Sequence, residues 1–481
     1  MNILGFAFIL LLHFLCGRGA LQLFKIKLAP RAMVCISFIV GVPLLSLVPF
    51  ALQLFHVPIT YNSVLISMCI FAALLSIGLV VKFKKPELGK IKLPSVYEIP
   101  FILIFLLLII ISVWRCFYLP ASARDMLSGP EVMAKYAVSE KSMINSMFSV
   151  DLHTTNNYLK PPFVTSLQII YKLFVSEIGQ LWISVLFVSF IIWLYDLLRA
   201  NLNPLIAGII LLFFITLPEV YAYTYLMLFD YSNMVFFFAG FYFLARYRSS
   251  RQFNELAFSA LMFALATYIR TETLVLQYMA VPMLIYFFYK DKTPLKQTIK
   301  PLATFMMAPL FFYILCMTVF VKHYIPIHFD VSGEINKHLG DVSVFFERFS
   351  DMNSVLIFSD MGKTLYGYFI PMFIVVLIAD IIFFRKQFSI EAKVALYGVL
   401  VVYIGMPLLG YLLPLVDLRN TTKRGLFKIF PLMVLYLRNS GSLIKLSTLI
   451  NNWEFSKPKD EVDKRMPQVA TTQSKGNAKK K

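Results

Sequence analysis

The sequence predicts an all-α protein, a polytopic transmembrane helical bundle, and three observations support that prediction. The 481 residues are 59% hydrophobic and only 15% charged, with a mean hydropathy of +0.74, well outside the range of soluble domains. Apolar runs of about 20 residues, the length that crosses roughly 30 Å of hydrocarbon, recur from the first residue to Arg438. Basic residues cluster in short loops between these runs.

The apolar runs give about thirteen expected membrane spans. In chain order they cover approximately 2–16, 32–54, 62–81, 98–117, 179–198, 203–218, 231–246, 254–270, 273–289, 301–321, 364–384, 392–413 and 424–439. The opening segment lacks a basic n-region and a small-residue cleavage site, so we interpret it as a retained first span.

The placement of the basic residues predicts the orientation of the bundle. The net charge of +19 is concentrated in loops that fall on one side, and the positive-inside rule assigns that side to the cytoplasm. This pattern favours a topology signal and contact with anionic lipids over nucleic-acid binding. The cytoplasmic group comprises 18–31, 82–92, Arg199, 246–251, 290–300, Arg385, Lys386 and a basic C-terminal tail, 451–481, expected to be disordered.

Two long polar segments, 118–178 and 322–363, then lie on the outer face of a cytoplasmic (inner) membrane. The first contains two amphipathic stretches, 130–148 and 161–174, which predict helices at the membrane surface. Treating the second stretch as a span would place the later basic loops outside, against the charge pattern.

The outer loops carry the polar motifs of the chain in a definite order. They are ARDMLSGPE and DLHTTNNYLKPPF in the first outer loop, MLFDYS near 225–232, TYIRTETLVLQY, and KRGLFKIFPLMVLY. In this order they resemble membrane glycosyltransferases of the GT-C superfamily, such as the protein O-mannosyltransferases and the lipid A aminoarabinose transferases. The resemblance covers about 98–440 and leaves 1–97 as three additional N-terminal transmembrane helices.

The resemblance implies a GT-C-type bundle whose extracytoplasmic loop carries interfacial helices. It implies inverting transfer of a sugar from a polyprenyl-phosphate-linked donor to a glycan, lipid or protein acceptor outside the cytoplasm. Asp125 or Glu131 would be the general base, because the paired acidic motif of the family is not intact here. Lys160, Arg270 and Arg424 would hold the donor phosphate, and further site candidates are Asp151, Asp230 and Glu272.

Each of these residues also has a structural interpretation. Asp125 and Glu131 fit a solvated loop or a helix start, and Asp230 fits the N-cap of the next span. Arg270 and Glu272 fit a helix-end turn. Because some relatives hold a divalent metal ion, His153, His323 and His328 are weak metal candidates, although their spacing matches no ligand motif.

Other functions are compatible with a bundle of this composition. A transporter or flippase of lipid-linked saccharides would favour charged or Gly/Pro-broken segments at the bilayer midplane, whereas the ionisable residues here lie at span ends. A polymerase or ligase of surface polysaccharide would use a diphosphate-linked donor and a large late loop. No Gly-rich phosphate loop occurs in the sequence, which favours a lipid-linked donor over a nucleotide sugar.

Overall fold

The computed structural model describes residues 2–81, 95–121, 123–150, 160–176, 180–325, 333, 335, 340–413 and 417–455. Within these ranges every regular element is a helix, as the all-α prediction requires. The first ten helices are α1 (Ile3–Leu23), α2 (Pro30–Leu54), α3 (Tyr61–Val81), α4 (Ile99–Tyr118), α5 (Val132–Glu140), α6 (Phe163–Phe174), α7 (Leu181–Arg199), α8 (Pro204–Ile215), α9 (Phe229–Ser250) and α10 (Phe253–Ile269).

The remaining helices complete the C-terminal half. They are α11 (Thr273–Tyr278), α12 (Val281–Lys290), α13 (Leu295–Tyr313), α14 (Val342–Asp351), α15 (Asp360–Tyr366), α16 (Phe369–Phe383), α17 (Ile390–Leu412), α18 (Ile429–Arg438) and α19 (Gly441–Phe455). Short helical turns link them: Val96–Glu98, Arg124–Met126, Leu127–Glu131, Ser146–Val150, Pro218–Ala222, Ile314–Val321, Lys322–Tyr324, Met352–Ile357, Arg385–Gln387, Leu418–Thr422, Lys423–Gly425 and Leu426–Lys428.

Several helices are long and apolar enough to cross a membrane. Among the described residues there are seven, or eight when α15 and α16, which meet at a 93° bend, count as one broken span. The seven are Ile3–Leu23, Pro30–Leu54, Val96–Tyr118, Leu181–Arg199, Thr273–Lys290, Leu295–Tyr324 and Ile390–Leu412. The chain is therefore a helical membrane protein, and the larger number of about thirteen spans stays a prediction.

Helix α9 lies at the centre of the bundle. It is buried along nearly its whole length and packs against α10 and α17, while α13 packs on the other side of α10. Aromatic side chains fill this core, with the ring centroids of Trp193 and Phe238 5.2 Å apart in an edge-to-face arrangement. Burial of these aromatic surfaces stabilises α9 at the centre of the bundle.

The three N-terminal helices pack directly against the rest of the bundle. Helix α2 contacts α6 and α7, and the His13 ring nitrogen Nε2 lies 3.2 Å from the Tyr171 hydroxyl on α6. The first two helices approach each other closely because Gly17 and Gly41 face the partner backbone: a Cβ on Gly17 would lie 1.7 Å from the Ser37 carbonyl oxygen. Segment 1–97 is therefore part of the same packed core.

The loops of the bundle meet in two separate groups. At one end Arg246 donates to the Lys27 carbonyl oxygen at 2.8 Å, and Arg248 binds Asp291 at 2.5 Å. At the other end the Lys141 carbonyl oxygen accepts a hydrogen bond from the backbone of Ile59 at 2.7 Å. The first group joins basic loops assigned to the cytoplasm, and the second joins loops assigned to the outer face; the side of the membrane that each end faces stays a prediction.

Two sequence expectations differ from the structure. The tail was expected to be disordered from residue 451, but α19 continues to Phe455, and Asn451 accepts a hydrogen bond from Asn203 at 2.6 Å. That part of the prediction is wrong because an amide pair and the packing of α19 on α16 anchor the segment. Helix α6 forms where the second amphipathic stretch predicted it, but protein covers most of its residues on all sides. Residues 82–94 and 456–481 lie outside the described part.

Candidate functional site

Charged side chains from five distant parts of the sequence meet at the end of the bundle that holds Lys141. The central one is Arg270, the residue that ends α10 in an extended backbone conformation. Its guanidinium forms ion pairs with the carboxylates of Asp230 and Glu272. The side chains of Arg270, Asp230 and Glu272 are 6%, 4% and 14% exposed, so this triad is largely shielded from solvent.

The local fold explains why the triad forms. Asp230 is in the first turn of α9, and Glu272 directly precedes α11. The Asn233 amide donates to the Ala266 carbonyl oxygen at 2.7 Å and to the Thr273 hydroxyl at 2.8 Å, which fixes the ends of these helices relative to one another. Buried polar groups that are fully hydrogen-bonded hold a geometry rigidly.

Two lysines lie against this triad. Lys160 precedes the two prolines that open α6, and it interacts electrostatically with all three members of the triad. Lys428 ends the short turn before α18, is only 2% exposed, and also faces the triad. Neither lysine side chain forms an ion pair or a hydrogen bond with any residue in the described ranges, so their charges are the least compensated in the cluster.

Arg424 and Asp125 form the more solvent-exposed part of the site. Their side chains pair at 2.8 Å, and the Arg424 guanidinium also lies 5.7 Å from the centre of the Tyr223 ring. The neighbouring Lys423 pairs with Glu219 at 2.6 Å, and its carbonyl oxygen accepts a hydrogen bond from Tyr366 at 2.8 Å. The turn that carries Arg424 is thus tied to three other segments of the chain.

The electrostatics of the site follow from this composition. Burial opposes ionisation of Glu272, but the neighbouring Arg270, Lys160 and Lys428 outweigh it and lower the pKa of its carboxyl from 4.5 to about 2. Burial lowers the pKa of the Lys160 ammonium, and the charge of Arg270 adds to that effect. The cluster holds more cations than carboxylates: Lys160, Arg270, Arg424 and Lys428 against Asp125, Asp230 and Glu272.

The structure separates the two acidic residues that the sequence offered as the base. Asp125 lies beside Arg424 within the cluster, whereas Glu131 accepts a hydrogen bond from Gln168 at 3.0 Å and pairs with Lys172. Both partners of Glu131 are on α6, and Lys172 is in its last turn, whereas Lys160 precedes its first turn. Glu131 is therefore held on another part of segment 118–178, away from the cluster.

The structure also shows which of the purely structural roles expected from the sequence these residues have. Asp230 is not an N-cap: Leu228 occupies that position, and the Asp230 carboxylate binds Arg270 instead. Arg270 and Glu272 do occupy a helix-end turn, but one whose charged groups are paired with each other and buried. Asp125 is bound by Arg424 of a distant segment.

The metal candidates do not form a cluster in the described part of the chain. His323 packs edge to face with Tyr324, with ring centroids 4.7 Å apart. No three His, Cys, Asp or Glu side chains come together there in a way that could hold a metal ion. Asp151, His153 and His328 lie outside the described residues.

Sequence reasoning missed Lys428, although a signal for it existed. Lys428 follows Arg424 by four residues, and this spacing places two side chains on the same side of a helical segment. The pairing of Lys423 with Glu219 had no comparable local signal, because the two residues are 204 positions apart in the sequence.

No protein-family model, curated protein or solved structure matches this chain.

Proposed function

We propose that this protein is an integral membrane glycosyltransferase of the GT-C type. It moves a sugar from a polyprenyl-phosphate-linked donor to a glycan, lipid or protein acceptor on the extracytoplasmic face. The observation that carries the proposal is the meeting of Asp125, Lys160, Arg270, Arg424 and Lys428 at one end of an apolar bundle. A membrane-embedded enzyme with a lipid phosphate donor needs a carboxylate beside surplus cations at the level of the headgroups.

In this mechanism the cations bind the donor phosphate. Lys160 and Lys428 are the natural phosphate ligands, because their ammonium groups have no ion pair within the described residues. Arg270, in contrast, is already engaged by two carboxylates, so its role is to position them and to add a fixed charge to the site. Charge fixed in a shielded site stabilises developing negative charge better than the same charge in water.

Asp125 acts as the general base. The acceptor hydroxyl oxygen attacks the anomeric carbon, and the bond from that carbon to the phosphate oxygen breaks. The electron pair leaves with the polyprenyl phosphate, and the hydroxyl proton passes to the Asp125 carboxylate. A single displacement of this kind inverts the anomeric centre.

The Asp125–Arg424 pair gives the reaction an order. The Arg424 guanidinium holds the Asp125 carboxylate at 2.8 Å, and a donor phosphate competes for the same guanidinium. Donor binding at Arg424 therefore loosens its hold on Asp125 and makes the carboxylate available to the acceptor. The donor is accordingly expected to bind before the acceptor.

The proposed topology has about thirteen spans with the N-terminus outside. Each span expected from the sequence overlaps a described helix, including α8 and α18. These two helices, at 12 and 10 residues, are only about 18 and 15 Å long at 1.5 Å per residue, so neighbouring turns must complete their passage.

Sugar transfer in proteoliposomes tests the function. Purified protein is supplied with a panel of radiolabelled polyprenyl-phosphate sugars and with acceptor lipids or glycans. We expect transfer by the native chain, a loss of about 10²–10⁴-fold in Asp125→Asn, and near-native rates in the matched Glu131→Gln variant. Donor that crosses the bilayer without transfer, unaffected by either substitution, would identify a flippase instead.

A further inference from the structure

A groove lies at the opposite end of the bundle from the charged cluster, where α12 turns into α13. Its volume is about 600 Å³, within the range of sites that bind small molecules. Helix α12 lines it with Ile285, Phe288 and Tyr289, and α13 lines it with Leu295, Thr298 and Leu302. The α13 residues follow one another at spacings of three and four, so a single face of that helix forms the wall.

The groove is apolar along its length and polar at its mouth. Lys292 and Thr293, in the turn between the two helices, line it together with the six helical residues. Ile285, Tyr289 and Leu295 expose large parts of their apolar surface. Because α12 and α13 belong to candidate spans, the wall faces the bilayer and the turn lies at the level of the lipid headgroups.

The charge around the mouth is strongly positive. Segment 290–300 contains four lysines and one aspartate, and that aspartate, Asp291, is neutralised by Arg248 and Arg251. Lys292 is exposed and forms no ion pair with any residue of the described ranges. A lysine ammonium at this level attracts the phosphate of a lipid headgroup.

We propose that this groove is a binding site for one anionic phospholipid. The lipid phosphate lies against Lys292 and Thr293, and an acyl chain follows the apolar wall between α12 and α13. The site is separate from the charged cluster and does not depend on the proposed sugar transfer. It would join the ends of two candidate spans whose turn is already fixed by the Asp291 ion pairs.

Lipid binding by the purified full-length chain, measured by native mass spectrometry in detergent, tests the proposal. Phosphatidylglycerol and phosphatidylcholine with identical acyl chains are titrated separately. We expect one phosphatidylglycerol to bind at concentrations at which phosphatidylcholine does not. Lys292→Gln should weaken phosphatidylglycerol binding about fivefold, because the Lys292 ammonium is the one that lies against the lipid phosphate.

A matched control and a groove-filling variant make the test specific. Lys296 is also exposed and belongs to the same basic segment, but it does not line the groove, so Lys296→Gln should change binding less than twofold. Leu302→Trp should weaken binding of phosphatidylglycerol by filling the groove. Equal losses in the two lysine variants, equal binding of the two lipids, or unchanged binding in a folded Leu302→Trp protein would each overturn the proposal.

Discussion

Replacing Arg270 by methionine removes the guanidinium that joins the two carboxylates of the buried triad. Asp230 and Glu272 would remain 4% and 14% exposed without a guanidinium to bind. Removing one partner of a buried ion pair destabilises a protein by about 3–5 kcal/mol, because it leaves an uncompensated charge. We therefore expect Arg270→Met to lower the free energy of unfolding by at least about 3 kcal/mol.

The pKa of Glu272 gives a related quantity, the net stabilisation of its ionised form by Arg270, Lys160 and Lys428 against the cost of burial. Its value of about 2, compared with an ordinary 4.5, corresponds to about 3 kcal/mol of stabilisation of the ionised form in the folded state. Because the pKa is depressed in the folded state, this stability is present above pH 4.5 and is lost as the pH falls towards 2. The stability that this group gives the native chain should thus stay constant between pH 7 and pH 5.

The variant should respond to pH in the opposite direction. Without Arg270, Lys160 and Lys428 are the cations that remain to offset burial, which is the largest single influence on Glu272. We expect burial then to raise the pKa of its carboxyl, so that the folded protein takes up a proton more readily than the unfolded chain. The stability of Arg270→Met should accordingly increase as the pH falls from 7 to 5. Combining Arg270→Met with Asp230→Asn and Glu272→Gln should remove this dependence and recover part of the lost stability.

Unfolding in mixed micelles, titrated with sodium dodecyl sulfate and followed by circular dichroism at both pH values, measures these effects. Lys363→Met is the control, because its pair with Asp360 is largely exposed and screened by solvent, so its loss should leave the stability nearly unchanged. A folded Arg270→Met protein within about 1 kcal/mol of the native chain, or one that loses stability at pH 5, would refute the reasoning.

Three further predictions concern other parts of the molecule. Lys428→Met should weaken binding of a long-chain alkyl phosphate at least tenfold in calorimetric titration, since a charge-assisted contact contributes about 1.5–3 kcal/mol. Lys428→Arg should retain binding, and an equal loss in both variants would show that Lys428 acts through packing and not through its charge. Asp380→Ala should make the C-terminal helix more sensitive to limited proteolysis, because it removes the Asp380 Oδ1 atom that accepts hydrogen bonds from Ser442 at 2.6 and 2.8 Å. In intact cells an impermeant maleimide should label Ser139→Cys but not Ser250→Cys, both exposed positions; the reverse pattern would invert the topology.

Most of the helical architecture could be predicted from the sequence because apolar length is a local property. A run of about 20 apolar residues specifies a helix in a bilayer without reference to its neighbours. The same reasoning failed at 451–455, where polarity suggested disorder. There a long-range amide pair between Asn203 and Asn451 anchors a helix, and no local pattern records such a partner.

The candidate site shows the same division between local and long-range information. The sequence placed Asp125, Lys160, Arg270 and Arg424 in outer loops, but it could not say which carboxylate each cation would meet. Asp125 and Glu131 are only six positions apart, yet one binds Arg424 and the other binds Lys172. Pairing of this kind depends on how helices pack, which is why the two acids were equivalent candidates until their partners were known.

The pairing also changes which cations can serve an anionic ligand. Arg270 looks like a phosphate ligand when it is considered alone, but two carboxylates already satisfy its charge. Arg424 is held by one carboxylate, and Lys160 and Lys428 form no ion pair with the described residues. The anionic phosphodiester of a donor entering this site would meet the two lysines first and would then compete with Asp125 for Arg424. Arg270, paired with two carboxylates, therefore organises the site. In the proposed mechanism Lys160, Lys428 and Arg424 bind the anion, and the shift of Arg424 from Asp125 to the phosphate frees the base in the same step.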